Sequence, residues 1–233
     1  MTTSKSDALP RKGLRILFVG NSYTQGIRRY FTGLANAGRT DASIEWVTQG
    51  GFSISEHSEE QEVIDAIETG EYNVVVLQDQ SQAPTLPDYK KKHLPAIKKL
   101  NKLIQKAGAE TVLYMTWGWK NGDSENGEVF PDDNYETMQK RLIDAYNNLG
   151  SELNATVAPV GIAWAKLMNE VELYREDANH PSSAGSYLAS CVLYNTIFKA
   201  SPTSITYKGD VKEDIAETIR ETAASTVEEY IKS

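Results

Sequence analysis

The stretch LRILFVGNSYTQG, residues 14–26, decides how this chain is read. Its first part, 15–20, is almost continuously apolar, as expected for a strand covered on both faces. A Gly20-Asn21 turn leads to Ser22, and a helical pattern opens over 22–37. Strand, turn and helix make one β-α unit. Ser22 is then either the cap of that helix or a nucleophile carried at the end of the strand.

The unit recurs along the chain. Strand candidates follow at 43–48, 72–78, 111–117 and 155–160. Helical patterns fall between and after them, at 55–69, 89–107, 133–149, 181–199 and 210–231, with a short helix after the fifth strand. Pro95 lies near the front of the 89–107 pattern and shifts its true start. The last pattern carries Val211, Ile215, Ile219, Val227 and Tyr230 on one face, an amphipathic helix that packs back onto the body. Alternation of β and α argues a parallel sheet with helices on both faces. Residues 1–12 read as a flexible tail, and 13–233 as one domain. The irregular stretch 118–133 is long enough to suspect a functional rim.

Bulk properties narrow the function. The 233 residues are 40 % hydrophobic, enough for a proper core, and the net charge is −8. The only basic grouping, Lys90–Lys92 with Lys98, Lys99 and Lys102, falls on a helix face, which argues against nucleic acid as a partner. The single cysteine, Cys191, excludes an internal disulfide framework, sits in an apolar helix and reads as buried and inert. No Cys/His pattern has zinc spacing, and no metal or cofactor is expected. MTTSKSDALPRKG has no apolar h-region, and no run is long enough to span a bilayer. The expectation is a soluble cytoplasmic protein without a membrane partner.

In open α/β sheets ligands bind beyond the carboxyl ends of the strands. Collected there are Gly20, Asn21 and Ser22, then Gln49, Gly50 and Gly51, then Gln78, Asp79, Gln80 and Ser81, then Trp117, Gly118 and Trp119, and finally Asp177 and His180 in REDANHPSSAG. This set fits acyl transfer. A serine hydroxyl needs a base, His180, and the base needs an orienting carboxylate, Asp177, three residues earlier. The oxyanion needs donors: the Ser22 N–H at a helix start, the Gly51 N–H, and the Gln80 amide. Each residue also has a plain reading. His180 and Asp177 serve equally as turn and loop residues, Gly50-Gly51 as a turn, and Gln80 as a partner for backbone groups. Taken together, the three outer members favour catalysis.

GNSYT resembles the first block of the SGNH hydrolases, also called GDSL-type esterases, with Asn21 where Asp is usual. DANHPS is similar to their last block, matching Asp177 and His180, and Gly50-Gly51 resembles the second, whose glycine donates an oxyanion N–H. The resemblance runs from 15 to about 199. It implies a three-layer, flavodoxin-like α/β/α sandwich of about five parallel strands and metal-free hydrolysis of esters, thioesters or sugar O-acyl groups. One block departs: LQDQSQAP stands where the family has Gly-x-Asn-Asp. That puts Gln80 on the oxyanion Asn, one methylene longer, with Gln78 as a possible substitute.

The expected function is therefore a serine esterase acting on a small-molecule ester, an O-acetyl group on a carbohydrate or other small metabolite foremost. Asn21, Tyr23, Gln78, Trp117 and Trp119 are candidate substrate-binding residues, the two tryptophans as either a stacking platform or core. The alternatives are a non-catalytic binding module on the same crevice and a nucleotide binder. The latter lacks both Gly-Lys-Ser/Thr and G-x-G-x-x-G. His57 and His93 read as surface or packing histidines, lacking a local carboxylate partner in strand-end position. Asp123, Glu125, Glu128, Asp132 and Asp133 read as a solvated acidic loop.

Overall fold

The computed structural model describes residues 10–232. Five strands, β1 (Arg15–Gly20), β2 (Ser43–Thr48), β3 (Val74–Leu77), β4 (Glu110–Tyr114) and β5 (Thr156–Ala158), form one sheet in the order β2-β1-β3-β4-β5. All four pairings are parallel. The strand direction of travel across the sheet reverses between β1 and β3, which opens a crevice at their carboxyl ends.

Strand alternation builds two cores. Ile16, Phe18, Val74, Val76 and Tyr114 face one side, against α1 (Ser22–Ala37), α7 (Val160–Leu167), α8 (Ser183–Phe198) and α9 (Glu213–Lys232). Leu17, Val19, Val75, Leu77 and Leu113 face the other. That side is covered by α2 (Ile54–His57), α3 (Gln61–Glu68), α4 (Tyr89–Lys92), α5 (Leu94–Lys106) and α6 (Tyr135–Leu153). This is the expected three-layer α/β/α sandwich. α8 is apolar on every side, which fits a helix wedged between α1 and α9.

Several elements differ from the pattern in the sequence. The 89–107 helix is two, α4 and α5, meeting at His93. Pro95 has no N–H to continue the first ladder, so α5 restarts with Pro at its front. The 55–69 helix is also two, because Glu60 takes an extended backbone and starts α3 afresh. The fourth strand stops at Tyr114, and 115–119 continues as irregular chain. The fifth stops at Ala158, and α7 begins at Val160.

Of the tail expected over 1–12, residues 1–9 lie outside the described residues. Arg11 is fastened to the body: its N–H donates to Phe198 O, and its guanidinium pairs with Glu110. No helix among the described residues is long and apolar enough to cross a membrane.

Candidate active site

The β1–α1 turn is the centre. Asn21, not Ser22, caps α1, its Oδ1 accepting the Tyr23 N–H at 3.1 Å. Ser22 is the first helical residue, and its hydroxyl is free of capping duty. Asn21 also donates from Nδ2 to Phe52 O at 2.9 Å. A carboxylate could not make that bond, which gives a physical reason for Asn where the resemblance implies Asp.

Ser22 Oγ lies 2.9 Å from His180 Nε2, and His180 Nδ1 lies 2.8 Å from Asp177 Oδ2. The carboxylate requires a hydrogen on Nδ1, which leaves the Nε2 lone pair toward the serine hydroxyl. The three-residue spacing works because Asp177 folds its own loop. Its Oδ1 accepts the N–H groups of Asn179 and His180, at 3.0 and 2.8 Å, while Oδ2 takes the ring. Burial pushes the Asp177 carboxyl up, but those backbone and ring hydrogen bonds outweigh it and hold it below its ordinary range.

The loop is pinned from outside. Tyr174 and Pro181 bridge its base, Lys120 N donates to Ala178 O, and Tyr23 Oη and Trp117 Nε1 donate to Asn179 O. Ala178 is held at φ 59°, a left-handed backbone that costs energy for alanine and needs such support.

Among the described residues, the three donors anticipated for an oxyanion have no acceptor. In the first turn of α1, the N–H groups of Asn21, Tyr23, Thr24 and Gln25 all have acceptors. The Ser22 N–H has none among the described residues. The Gly51 N–H is likewise free, in a turn closed by Phe52 N donating to Gln49 O. Gly51 sits at φ 78°, which explains glycine there. Gln80 accepts the Gln82 and Ala83 N–H groups at Oε1, leaving Nε2 without an acceptor among the described residues. Gln80 thus serves the backbone with one end and keeps a donor at the other.

The five candidate substrate contacts are placed differently. Asn21, Tyr23, Gln78, Trp117 and Trp119 are all buried, none more than 6 % exposed, so none presents a free ring or amide to a ligand. Gln78 is the knot behind the nucleophile turn. Its Oε1 accepts Asn21 N, Thr24 N and Thr24 Oγ1, and its Nε2 donates to Asp79 O. With its amide so engaged, it is not a substitute for Gln80. The two tryptophans are core. Tyr23, Trp117 and Trp164 stack face to face, with centroids 4.5 and 3.9 Å apart, and the Tyr23 edge meets the His180 ring. Burial pushes the Tyr23 hydroxyl far above its usual value, so it is a neutral donor to Asn179.

For the remaining residues the structure corrects some expectations and agrees with others. His57 is fully buried and does have a carboxylate partner: its Nδ1 lies 2.9 Å from Glu60 Oε2, and its Nε2 2.9 Å from Gly20 O. His93 packs its ring on Tyr89. The acidic loop is only partly solvated. Asp123 is buried and caps Asn126, and the half-buried Asp133 has its carboxylate covered by Arg141 through two bonds of 2.7 and 2.8 Å. Glu125 accepts from Gln82 Nε2 at 2.9 Å, which ties the 118–133 rim to the β3 end of the crevice. Cys191 is buried, and burial pushes its thiol up, consistent with an inert residue. No cluster of three His, Cys, Asp or Glu side chains suited to a metal occurs among the described residues.

Asp79 stands among the strand-end residues in the sequence, but nothing there assigns it a role. It is buried, its Oδ1 accepts the Ile54 and Gln80 N–H groups at 2.8 Å each, and Tyr89 donates to Oδ2. Burial pushes its carboxyl up against the pull of these bonds. Its place beside Gln78 and Gln80 is the only signal the sequence offers.

The sheet order and the all-parallel pairing make a three-layer α/β/α sandwich with its switch point between β1 and β3. Among solved structures, the chain is similar to a candidate SGNH hydrolase from Slackia heliotrinireducens, 27 % identical with a TM-score of 0.67, covering 80 % of this chain and 100 % of that one. It is also similar to a DUF4886 family protein from Bacteroides uniformis, 17 % identical with a TM-score of 0.76, covering 93 % and 95 %. A catalytic mutant of Axe2, an acetylxylan esterase from Geobacillus stearothermophilus, is 15 % identical with a TM-score of 0.57, covering 82 % and 96 %. No family model and no curated protein sequence matches the chain. The resemblance carried by GNSYT and DANHPS therefore holds at the level of the fold.

Proposed function

We propose that the chain is a serine ester hydrolase working through an acyl-enzyme. The observation that carries this reading is the continuous line from Ser22 Oγ through the His180 ring to Asp177, with links of 2.9 and 2.8 Å, at the sheet's switch point. Ser22 Oγ attacks the acyl carbonyl while His180 Nε2 takes its proton. His180 returns that proton to the leaving alcohol. Asp177 keeps the hydrogen on Nδ1 and stabilises the imidazolium. The N–H groups of Ser22 and Gly51 and the Gln80 amide receive the oxyanion. Water, deprotonated by His180, then releases the acid and frees Ser22.

The substrate is a small-molecule ester with a short acyl group, an O-acetyl group on a carbohydrate or other small metabolite foremost. Tyr23 meets the His180 ring edge-on, with Trp117 and Trp164 stacked behind it, so the base is backed by packed aromatic rings. The acetylxylan esterase among the structural neighbours supports the choice of an O-acetyl group. The chemistry uses no cofactor. The test is hydrolysis of p-nitrophenyl esters from acetyl to octanoyl and of acetylated sugars, with Ser22→Ala alongside. The reading expects turnover of acetyl esters that Ser22→Ala abolishes. Turnover that survives in Ser22→Ala contradicts it.

A further inference from the structure

One peptide unit precedes the nucleophile turn, and it is held at both ends. The Gly20–Asn21 unit offers its N–H to Gln78 Oε1 at 3.0 Å. Its carbonyl accepts Gln49 N at 3.1 Å and faces His57 Nε2 at 2.9 Å. A carbonyl only accepts, so Nε2 carries the hydrogen. On the other side of the ring, Nδ1 faces Glu60 Oε2 at 2.9 Å. Two bare acceptors at that distance would repel, so a proton lies between them. The imidazole is thus oriented by a carboxylate three residues away, as His180 is by Asp177, but it points at backbone rather than at a hydroxyl.

The ring has no freedom to turn. It is fully buried, packs at 5.3 Å against Phe52, and closes α2, whose first N–H is held by Asp79. Phe52 O accepts from Asn21 Nδ2, so the same ring supports the turn by a second route. Tilting the Gly20–Asn21 plane would re-aim the next residue, and with it both Ser22 Oγ and the unpaired Ser22 N–H.

We propose that His57, clamped between Glu60 and the Gly20 carbonyl, is a positioning residue for Ser22. It touches no substrate and acts through the backbone. The proposal rests on the esterase reading. A misplacement of about 1 Å at a reacting group costs roughly a hundredfold in rate.

The test compares His57→Leu, His57→Gln and His57→Asn with wild type, reading Ser22 labelling rate by a fluorophosphonate probe, kcat and KM on p-nitrophenyl acetate, and the thermal midpoint. Glutamine places an amide N–H where Nε2 stands; asparagine is one methylene too short. The expected result is a kcat and labelling rate lowered about tenfold to a hundredfold in the Leu and Asn variants. KM should stay within about twofold, and Gln should restore most of the rate. A folded Leu variant with wild-type kcat, or a Gln variant no better than Asn, overturns the proposal alone. Loss of folding in all three variants also overturns it, by making the role purely structural. A wild type that the probe does not label at Ser22 overturns both this proposal and the reading beneath it.

Discussion

Replacing Gln78 with leucine should unpin the nucleophile turn without altering any group in line with His180. Leucine has a similar volume but no acceptor. The N–H groups of Asn21 and Thr24, whose acceptor is Gln78 Oε1 at 3.0 and 3.2 Å, would be orphaned in a buried site. Thr24 Oγ1 also loses its 2.8 Å bond but can rotate toward another acceptor. Each orphaned buried donor costs about 1–3 kcal/mol, so the two backbone groups together give about 2–6 kcal/mol. A value near the middle, about 4 kcal/mol, is a large part of the roughly 5–15 kcal/mol typical of a whole domain. The assay is urea unfolding followed by tryptophan fluorescence, comparing midpoints at unchanged slope. Gly20→Ala attacks the same knot from the other side, because its Cβ would lie 2.3 Å from Thr24 Oγ1 and 2.7 Å from Gln78 Oε1. A Gln78→Leu protein within about 1 kcal/mol of wild type would refute the reasoning, since one orphaned donor alone costs that much.

Three further outcomes are expected. Gln80→Ala should lower kcat on an acetyl ester about a hundredfold to a thousandfold with little change in KM; an unchanged kcat would remove Gln80 from the oxyanion site. Asp177→Asn should lower kcat by about ten-thousandfold, because the amide no longer dictates which ring nitrogen holds the hydrogen, and a loss under tenfold would contradict that role. The Arg141 guanidinium, with Thr137 and the Asp123 N–H adding to it, holds the Asp133 carboxyl well below its usual range despite burial. A depressed folded-state value means its stabilisation is complete above the unfolded value of about 3.9 and is lost as pH falls below it. Asp133→Asn should therefore destabilise by about 3 kcal/mol at pH 7, from two charge-assisted bonds at about 1.5–3 kcal/mol each and not fully additive. The gap to wild type should narrow below about pH 4; a gap constant from pH 7 to 3 would refute the assignment.

What the sequence made legible is what period and local spacing encode. The almost continuous apolar run at 15–20 marks β1 to the residue, because after the exposed Arg15 every position of the strand is buried. Asp177 and His180 were legible because their partnership is local, made within one four-residue loop. The helix break at His93 was half legible, through Pro95. The illegible parts depend on distant pairs. Gln78 finds Asn21 and Thr24 across 57 and 54 residues, and His57 finds Gly20 across 37. No periodicity announces such pairs, so Gln78 looked like a spare amide and His57 like packing. Trp117 and Trp119 read as core more readily than as platform, but strand-end position says nothing about which way a ring turns. Asp133 looked solvated because Arg141, its partner, lies two turns into the following helix.

The central claim is that Ser22 is an activated nucleophile. Its most direct test is treatment of the purified protein with a fluorophosphonate probe, followed by peptide mass spectrometry of wild type and His180→Ala. The account predicts one adduct, on Ser22, that is lost when His180 is removed. A folded wild-type protein that forms no adduct at Ser22, or forms it equally well without His180, would contradict it.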